Sequence, residues 1–278
     1  MINVLVCFSK GRIMKHKIIC FSVVVCALGA SVAFADDSIV ADYGKTVFPQ
    51  QTEKINMVSE KVDITFGVDK KGHREAKVNC NFVFRNETKD EIKVKVGFPG
   101  NKSEHGPAWR QPLRDFKTFV NGKPYRTEVK EQRLGDDSTD PHYSYREWYL
   151  WEMSFPPKQD TLVDNSYSYS LSSDSGYSRL TLNYELATGA NWSGKIGEAV
   201  VIVKYVDAKD LEARVISIQP VGWKRKGNQI IWNLKNIEPG PADNILVQEK
   251  NLSSTVTHYK GPLLFKPQKQ GPKEEEPG

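Results

Sequence analysis

Histidine is the side chain best suited to hold a transition metal, and four histidines follow residue 35 of this 278-residue chain. They are His73, His105, His142 and His258. No two of them stand two or four residues apart, the spacings that place two imidazoles on one side of a strand or a helix. We therefore expect surface or turn histidines, no metal site and no cofactor.

A hydrolase is the alternative, because catalytic groups or metal ligands from distant strands can converge in a fold. Its first candidates are His105, Asp115, Asp140 and His142. A serine nucleophile in a strained turn would show as Gly-x-Ser-x-Gly, and the sequence lacks that motif. Cys80 alternates with apolar residues, a position where cysteine usually packs as a small hydrophobe. We therefore expect a protein that is not an enzyme.

Aromatic side chains give the strongest indication of a binding function, because contiguous exposed rings mark contact surfaces. In the strand predicted at 148–155, Tyr149 and Trp151 share one face with Met153 and Phe155, so that face is expected in the core. The other rings of this region are left for recognition. The candidate binding residues are Trp109, Tyr143, Tyr145 and Trp148.

Residues 1–35 have the three zones of a secretory signal peptide. A basic stretch at 15–17 is followed by an uncharged, apolar run at 18–32. Small residues two apart, Ala33 and Ala35, then suit a signal peptidase that cuts before Asp36. Met14, directly before the basic stretch, is an alternative start. The sequence predicts an exported protein, periplasmic or extracellular, without stable membrane insertion after the leader is removed.

Removal of the leader changes the charge and the cysteine count. Four of the 39 basic residues lie in it and none of the 34 acidic ones, so 35 against 34 remain and the net charge falls from +5 to +1. A near-neutral chain gives no reason to expect nucleic acid as a partner. Of the four cysteines only Cys80 is left, which excludes an internal disulfide.

Alternation of apolar and polar residues is the dominant pattern after the leader, and it predicts strands with one buried face. Val58, Val62, Ile64 and Phe66 define the first strand, whereas 207–213 suits only a short helix. Proline at position 99 is expected to end the third strand, and the hairpin turn Asn121-Gly122 predicts that 116–120 pairs with 125–129. Further strands are predicted at 76–84, 92–98, 148–155, 161–171, 177–186, 199–206, 214–218, 229–234 and 245–248.

The whole pattern predicts an all-β fold, an antiparallel β-sandwich with long loops. An extended segment is expected at 36–52 and the sandwich at 53–252, with two lobes that meet near 172–176 as an alternative to a single domain. The C-terminal extension spans 253–278. It is expected to be disordered from about residue 266, because Pro, Gly, Lys, Gln and Glu leave little to bury.

Several segments together resemble a family of exported bacterial proteins that is catalogued as a domain of unknown function. The resemblance implies an exported domain and no catalytic residues. A more distant architectural similarity, to the vault protein inter-alpha-trypsin domain, lies in a strand that ends in Phe-Pro and in a Val-x-Gly-Lys-like hairpin. The segments that carry the family resemblance are 86–88, 97–99, 116–123 with VNGK, 151–156, 184–196 (YELATGANWSGKI) and 228–245 (NQIIWNLKNIEPGPADNI).

These observations favour a secreted, noncatalytic β-sandwich module that binds a protein partner or an envelope glycan. Loops on a rigid sandwich are where binding groups gather. The Pro-rich loop at 99–112 and the insertion at 135–146 are therefore the expected contact regions.

Overall fold

The computed structural model describes the part of the chain after the predicted leader in several stretches, and the structural statements below concern those residues. The predicted leader, with Ala33, Ala35 and Asp36, and the predicted disordered tail from residue 266 lie outside them. No helix within the described stretches is long and apolar enough to cross a membrane. The described residues are 38–43, 46–50, 54–70, 73–103, 112–134, 144–174, 179–251 and 264–265.

The fold is an all-β sandwich, as the alternation predicts. Its first layer is an eight-stranded sheet in the order β15-β16-β13-β3-β4-β10-β6-β7. Within it β13 runs parallel to β3, while the other neighbours are antiparallel. The strands of this sheet are β3 (Ile55–Val68), β4 (Arg74–Asn86), β6 (Arg114–Val120), β7 (Lys123–Tyr125), β10 (Asp160–Ser170), β13 (Ile196–Tyr205), β15 (Lys224–Lys226) and β16 (Gln229–Ile237).

The second layer consists of two smaller sheets. A five-stranded sheet has the order β2-β1-β5-β9-β8, and a four-stranded sheet has the order β11-β12-β17-β14. A short helix, α1 (Ala208–Arg214), follows β13, and two 3₁₀ helices span Ala187–Asn191 and Pro241–Asp243. The strands of the second layer are β1 (Ser38–Tyr43), β2 (Thr46–Gln50), β5 (Ile92–Ser103), β8 (Glu128–Leu134), β9 (Ser144–Phe155), β11 (Ser172–Asp174), β12 (Arg179–Tyr184), β14 (Val215–Gln219) and β17 (Ile245–Lys250).

Both smaller sheets cover the same face of the eight-stranded sheet. Phe155 of the five-stranded sheet meets Phe84 edge to face, with the ring centroids 5.9 Å apart. Tyr184 of the four-stranded sheet reaches Glu60 on β3. The buried apolar side chains of all three sheets form one continuous core. The other face of the eight-stranded sheet is not covered by these sheets, and we call it the outer face.

The predicted inward position of Val58 in the first strand is wrong, because the strand contains a β-bulge. The pairing of β3 with β4 shifts between Met57 and Ser59, so Val58 is 39% exposed and Glu60 takes the next inward position. Gly197 lies against this bulge, because an added Cβ there would stand 2.5 Å from the Val58 carbonyl oxygen. Inserting one residue into an alternating strand reverses its facing, which the apolar pattern alone does not show.

Two further strand predictions are wrong in their boundaries. The strand β5 continues past Pro99, and an irregular register between Pro99 and Lys102 accommodates the proline. The turn at Asn121 joins β6 to β7 as predicted, but β7 ends at Tyr125. From Glu128 the chain crosses to the five-stranded sheet and pairs with β9 instead.

Candidate functional site

One end of the five-stranded sheet brings together the described ends of the two segments that were expected to contact a partner. In the ladder of β5 and β9, Ser103 lies opposite Tyr145, and in the ladder of β8 and β9, Arg133 lies opposite the same residue. The segment 99–112 therefore leaves the sheet from the strand next to the one that receives 135–146. Antiparallel pairing of neighbouring strands fixes this juxtaposition.

Two of the four candidate binding residues lie in β9, the strand that begins at this end of the sheet. Trp109 and Tyr143 fall in the segments between the strands, outside the described residues, and Tyr145 lies in β9. Trp148 follows three residues later in the same strand. Tyr145 and Trp148 therefore lie in one strand, while the roles of Trp109 and Tyr143 remain predictions.

Trp148 does not provide an exposed ring. Its side chain is 2% exposed and forms a small cluster with Leu150, which is 1% exposed. Tyr149 and Trp151 point to the opposite face and belong to the main core, as the alternation predicts. A stacking platform needs an accessible ring face, so recognition by stacking cannot use Trp148 in this conformation.

The curvature of the five-stranded sheet accounts for the burial of this second cluster. Its two edge strands, β2 and β8, contact each other although they are not hydrogen-bonded neighbours in the sheet. One face of the sheet packs on the eight-stranded sheet, so the contact between the edges encloses the opposite face. Trp148 and Leu150 lie on that enclosed face.

A groove of about 410 Å³ opens beside β8. Apolar residues contribute to its floor, and charged residues of both signs surround it. Lys95 and Glu152 face each other across the ladder of β5 and β9. Glu128 begins β8, so this strand runs from the groove to the end of the sheet where 135–146 begins. The groove is lined by Lys95, Arg126, Thr127, Glu128, Leu150, Trp151 and Glu152.

A buried arginine lies further along the same face. Arg146 is 7% exposed, and its guanidinium stands 5.9 Å from the centroid of the Trp148 ring. Burial lowers the pKa of Arg146 to about 9, and the nearby Glu185 acts in the opposite direction. The arginine keeps its positive charge at neutral pH, so this face carries a fixed cation beneath its surface.

Another buried polar group is a carboxyl in the core that the apolar pattern of the sequence does not indicate. Glu60 is 1% exposed, and its Oε1 accepts a hydrogen bond of 2.7 Å from the Tyr184 hydroxyl. Its Oε2 has no hydrogen-bond partner among the described residues. Burial raises the pKa of Glu60 to about 7, and the bond from Tyr184 lowers it in part. In the sequence, only its spacing of two residues from Val62 indicates that Glu60 faces the core.

Cys80 lies beside this carboxyl. Its Sγ is 3.8 Å from the Tyr184 hydroxyl, and the side chain is completely buried, as expected for a core cysteine. A thiol, a phenol and one carboxyl enclosed in a core can hold a proton, but a substrate in solvent does not reach them. The described residues contain no group of three or more His, Cys, Asp or Glu side chains that could hold a metal ion.

An ion-pair network also connects the eight-stranded and four-stranded sheets. Arg74 on β4 donates to both carboxylate oxygens of the fully buried Glu249 on β17, with a shortest distance of 2.9 Å. It also contacts Asp210 of α1 at 3.3 Å. Burial and the adjacent Glu249 raise the pKa of Tyr205 well above its usual value. Complementary charges and bidentate geometry identify this network as structural.

Of the four residues proposed for a hydrolase, only Asp115 falls within the described part of the structure. Asp115 is exposed at the start of β6 and has a φ of 55°. His105, Asp140 and His142 lie outside the described residues. His73 is an exposed turn residue whose backbone N–H donates to Asp69, as expected for a turn histidine.

The structure is thus a β-sandwich in which the two edge strands of the five-stranded sheet, β2 and β8, contact each other. A family model described as a domain of unknown function, DUF4424, matches residues 35–140 and 128–180. The chain belongs to this family, which confirms the resemblance inferred from the sequence. No curated protein matches the sequence.

A solved structure shares the fold. A crystal structure from Legionella pneumophila, described as a "putative nutrient binding protein", is 21% identical, with a TM-score of 0.58 over 77% of this chain and 72% of its own. An M1 zinc metallopeptidase mutant from Deinococcus radiodurans, bound to a Tyr-Ser-Ala substrate, is 12% identical. Its TM-score is 0.35, over 73% of this chain and 44% of that one.

Proposed function

We propose that the protein is a noncatalytic, extracytoplasmic binding module whose ligand is an extended segment of a partner protein. The ligand lies along β8, from the groove at Glu128 to the end of the sheet where Ser103 lies opposite Tyr145. The observation that carries this proposal is the register of β5, β8 and β9, in which residues 99–103 and 144–146 lie on adjacent strands. The seven residues of β8, Glu128–Leu134, span roughly 20 Å, so an extended peptide along this strand can contact both the groove and the end of the sheet.

The composition of the groove favours a peptide over a neutral glycan. Lys95 and Arg126 supply positive charge, Glu128 and Glu152 supply negative charge, and Leu150 lies at the floor. Peptide segments present charges of both signs together with apolar side chains, and charge complementarity selects among them. Neutral sugars use stacking on exposed rings, which Trp148 does not offer.

A binding role without catalysis agrees with the position of two buried ionisable side chains. The carboxyl of Glu60 is enclosed in the core, and Arg74 is engaged by Glu249 and Asp210. The description of the Legionella protein as nutrient binding also supports a binding role for this fold. The predicted leader at 1–35 supports a position outside the cytoplasm.

Site-specific photo-crosslinking in the producing cells tests this proposal. A benzophenone side chain at Thr127, on the rim of the groove, is compared with the same group at Lys158, an exposed turn residue away from β8. We expect a discrete protein adduct from position 127 and none from 158. The double variant Arg126→Ala and Glu128→Ala should lose the adduct.

Two outcomes contradict the proposal. Equal adducts from both positions would show that the groove has no selectivity. Retardation of the protein in a gel that contains envelope glycan, without any protein adduct at position 127, would identify a glycan as the ligand.

A further inference from the structure

The outer face of the eight-stranded sheet carries rows of lysine. Residues directly opposite each other in neighbouring strands share a face. Lys226 on β15 lies opposite Gln229, which lies opposite Lys204 on β13. Lys204 pairs in register with Thr65 on β3, and Thr65 lies opposite Lys77 on β4. One row across five strands therefore contains three lysines.

The neighbouring row adds cations at both of its ends. Lys224 lies opposite Ile231, and Ile231 opposite Ile202. At the far end Lys117 on β6 lies opposite Ser166. Lysine stems can cover apolar neighbours such as the half-buried Ile202 while their ammonium groups remain in water.

Most carboxylates of this face are already engaged by other cations or by an amide. Asp63 is 3.0 Å from Lys61, and Glu198 is 3.9 Å from Lys235. Asp160 pairs with Arg85, and Asp164 accepts a hydrogen bond from Asn81. Glu75 pairs with Arg114 and is 4.0 Å from Lys77, the lysine of the first row that has a carboxylate partner. In contrast, no carboxylate among the described residues lies within 4 Å of the four exposed lysines. These are Lys117, Lys204, Lys224 and Lys226.

An exposed apolar tip borders the lysine rows. Val221 is 88% exposed in the loop directly before β15, where Gly222 adopts a φ of 98°. Trp223 anchors this loop, since its ring meets that of Phe265 edge to face at 5.8 Å. Leu264, beside that contact, is 43% exposed. The loop therefore presents an apolar side chain three residues from Lys224.

We infer that the β15 edge of the outer face binds the surface of an anionic phospholipid bilayer. Lysines attract the negative surface potential, and an exposed apolar side chain beside them enters the interfacial region of the bilayer. A soluble anionic polymer would use the lysines alone and would leave Val221 in water. The contact is peripheral, uses no spanning helix, and is separate from the groove beside β8.

Vesicle co-sedimentation of the protein, purified from its producing cells, tests this inference. Vesicles of phosphatidylcholine are compared with vesicles that also contain phosphatidylglycerol, at low and at high salt. The triple variant Lys204→Gln, Lys224→Gln and Lys226→Gln is matched with Lys89→Gln, Lys123→Gln and Lys195→Gln, three exposed lysines elsewhere. Val221→Ser tests the apolar tip without a change of charge.

We expect binding only to vesicles with phosphatidylglycerol, and weaker binding at high salt. The first triple variant should reduce the partition coefficient by about tenfold or more, because each surface lysine contributes substantially to attraction by anionic lipid. Val221→Ser should reduce it by roughly threefold, and the matched triple variant should leave it near the wild-type value.

Absence of binding at low salt, or equal losses in the two triple variants, would overturn the inference. So would tight binding to soluble polyphosphate combined with vesicle binding that Val221→Ser leaves unchanged, since the ligand would then be a polymer. Crosslinking at position 127 is independent of these results, so this inference and the proposed function can fail separately.

Discussion

The hydroxyl of Tyr184 donates a 2.7 Å hydrogen bond to Oε1 of Glu60 and thereby joins the four-stranded sheet to the eight-stranded sheet. The carboxyl is enclosed on an inward strand position that Val62 and Ile64 continue. Burial favours its neutral form and raises the pKa of Glu60 to about 7. The link between the two sheets therefore depends on pH.

The stability of the fold should fall as this carboxyl ionises. Unfolded Glu60 loses its proton near pH 4.5, whereas folded Glu60 keeps it until about pH 7. The unfolded state therefore binds fewer protons in this window, and the free energy of unfolding decreases as the pH rises through it. The full difference amounts to about 3 kcal/mol and is constant above the window. Urea unfolding between pH 4.5 and 8 measures it.

The variant Glu60→Gln isolates this effect, because it keeps an acceptor for Tyr184 and removes the charge. Its stability relative to the wild type should increase as the pH rises to 7. Glu198→Gln, at an exposed position, should retain the wild-type profile. A parallel profile for wild type and Glu60→Gln would show that Glu60 titrates as an ordinary glutamate.

Removal of Arg74 should strongly destabilise the fold. Arg74→Met leaves the fully buried carboxylate of Glu249 without its bidentate partner, which costs about 3–5 kcal/mol. The double variant Arg74→Met and Glu249→Leu should recover part of this loss, because no uncompensated charge remains. Arg114→Met breaks the more exposed pair with Glu75 and should cost at most about 1 kcal/mol. Equal losses in Arg74→Met and Arg114→Met would contradict the structural role of the network.

Gly197 is required by the close approach of β13 to the bulge in β3. In Gly197→Ala the new Cβ would meet the carbonyl oxygen of Val58, and backbone displacement should cost about 1–3 kcal/mol. Gly67→Ala is the matched control, because no atom lies within 4 Å of an added Cβ there. Thermal melting should show a lower Tm for the first variant only. Similar Tm values for both variants would place Gly197 farther from Val58 than described.

The Cys80 thiol should react only when the fold opens. Its side chain is completely buried on β4, so a thiol reagent in native buffer should modify less than one thiol per molecule over hours. In denaturant the thiol should react at once. Rapid modification of Cys80 in the native protein, identified by peptide mass, would show that this part of the core is accessible.

The sequence predicts strands more completely than it predicts their arrangement. Alternation identifies the buried faces of β4 and β9, and Asp207 caps α1 at the predicted position. It does not show that β13 pairs in parallel with β3, because that pairing joins segments more than 130 residues apart. It also does not show the bulge that turns Val58 outward.

The candidate site is predictable only in part, because its position also depends on how the strands are arranged. Loop composition indicates the segments 99–112 and 135–146, whereas the register of β5, β8 and β9 is needed to bring Ser103 opposite Tyr145. Alternation assigns Trp148 to the face of its strand opposite the core, and such a face is expected to be exposed. Curvature of the sheet encloses the face, and curvature has no signature in a two-residue period.

Hydrogen exchange of the protein with its crosslinked partner tests the central claim most directly. Amides of the free protein are compared with those of the complex, and the predicted result is slower exchange in β8, from Glu128 to Leu134, and in the peptide that begins β9. The double variant Arg126→Ala and Glu128→Ala should abolish this protection. Protection confined to β15 and its lysine-bearing neighbours, with β8 unchanged, would contradict the account.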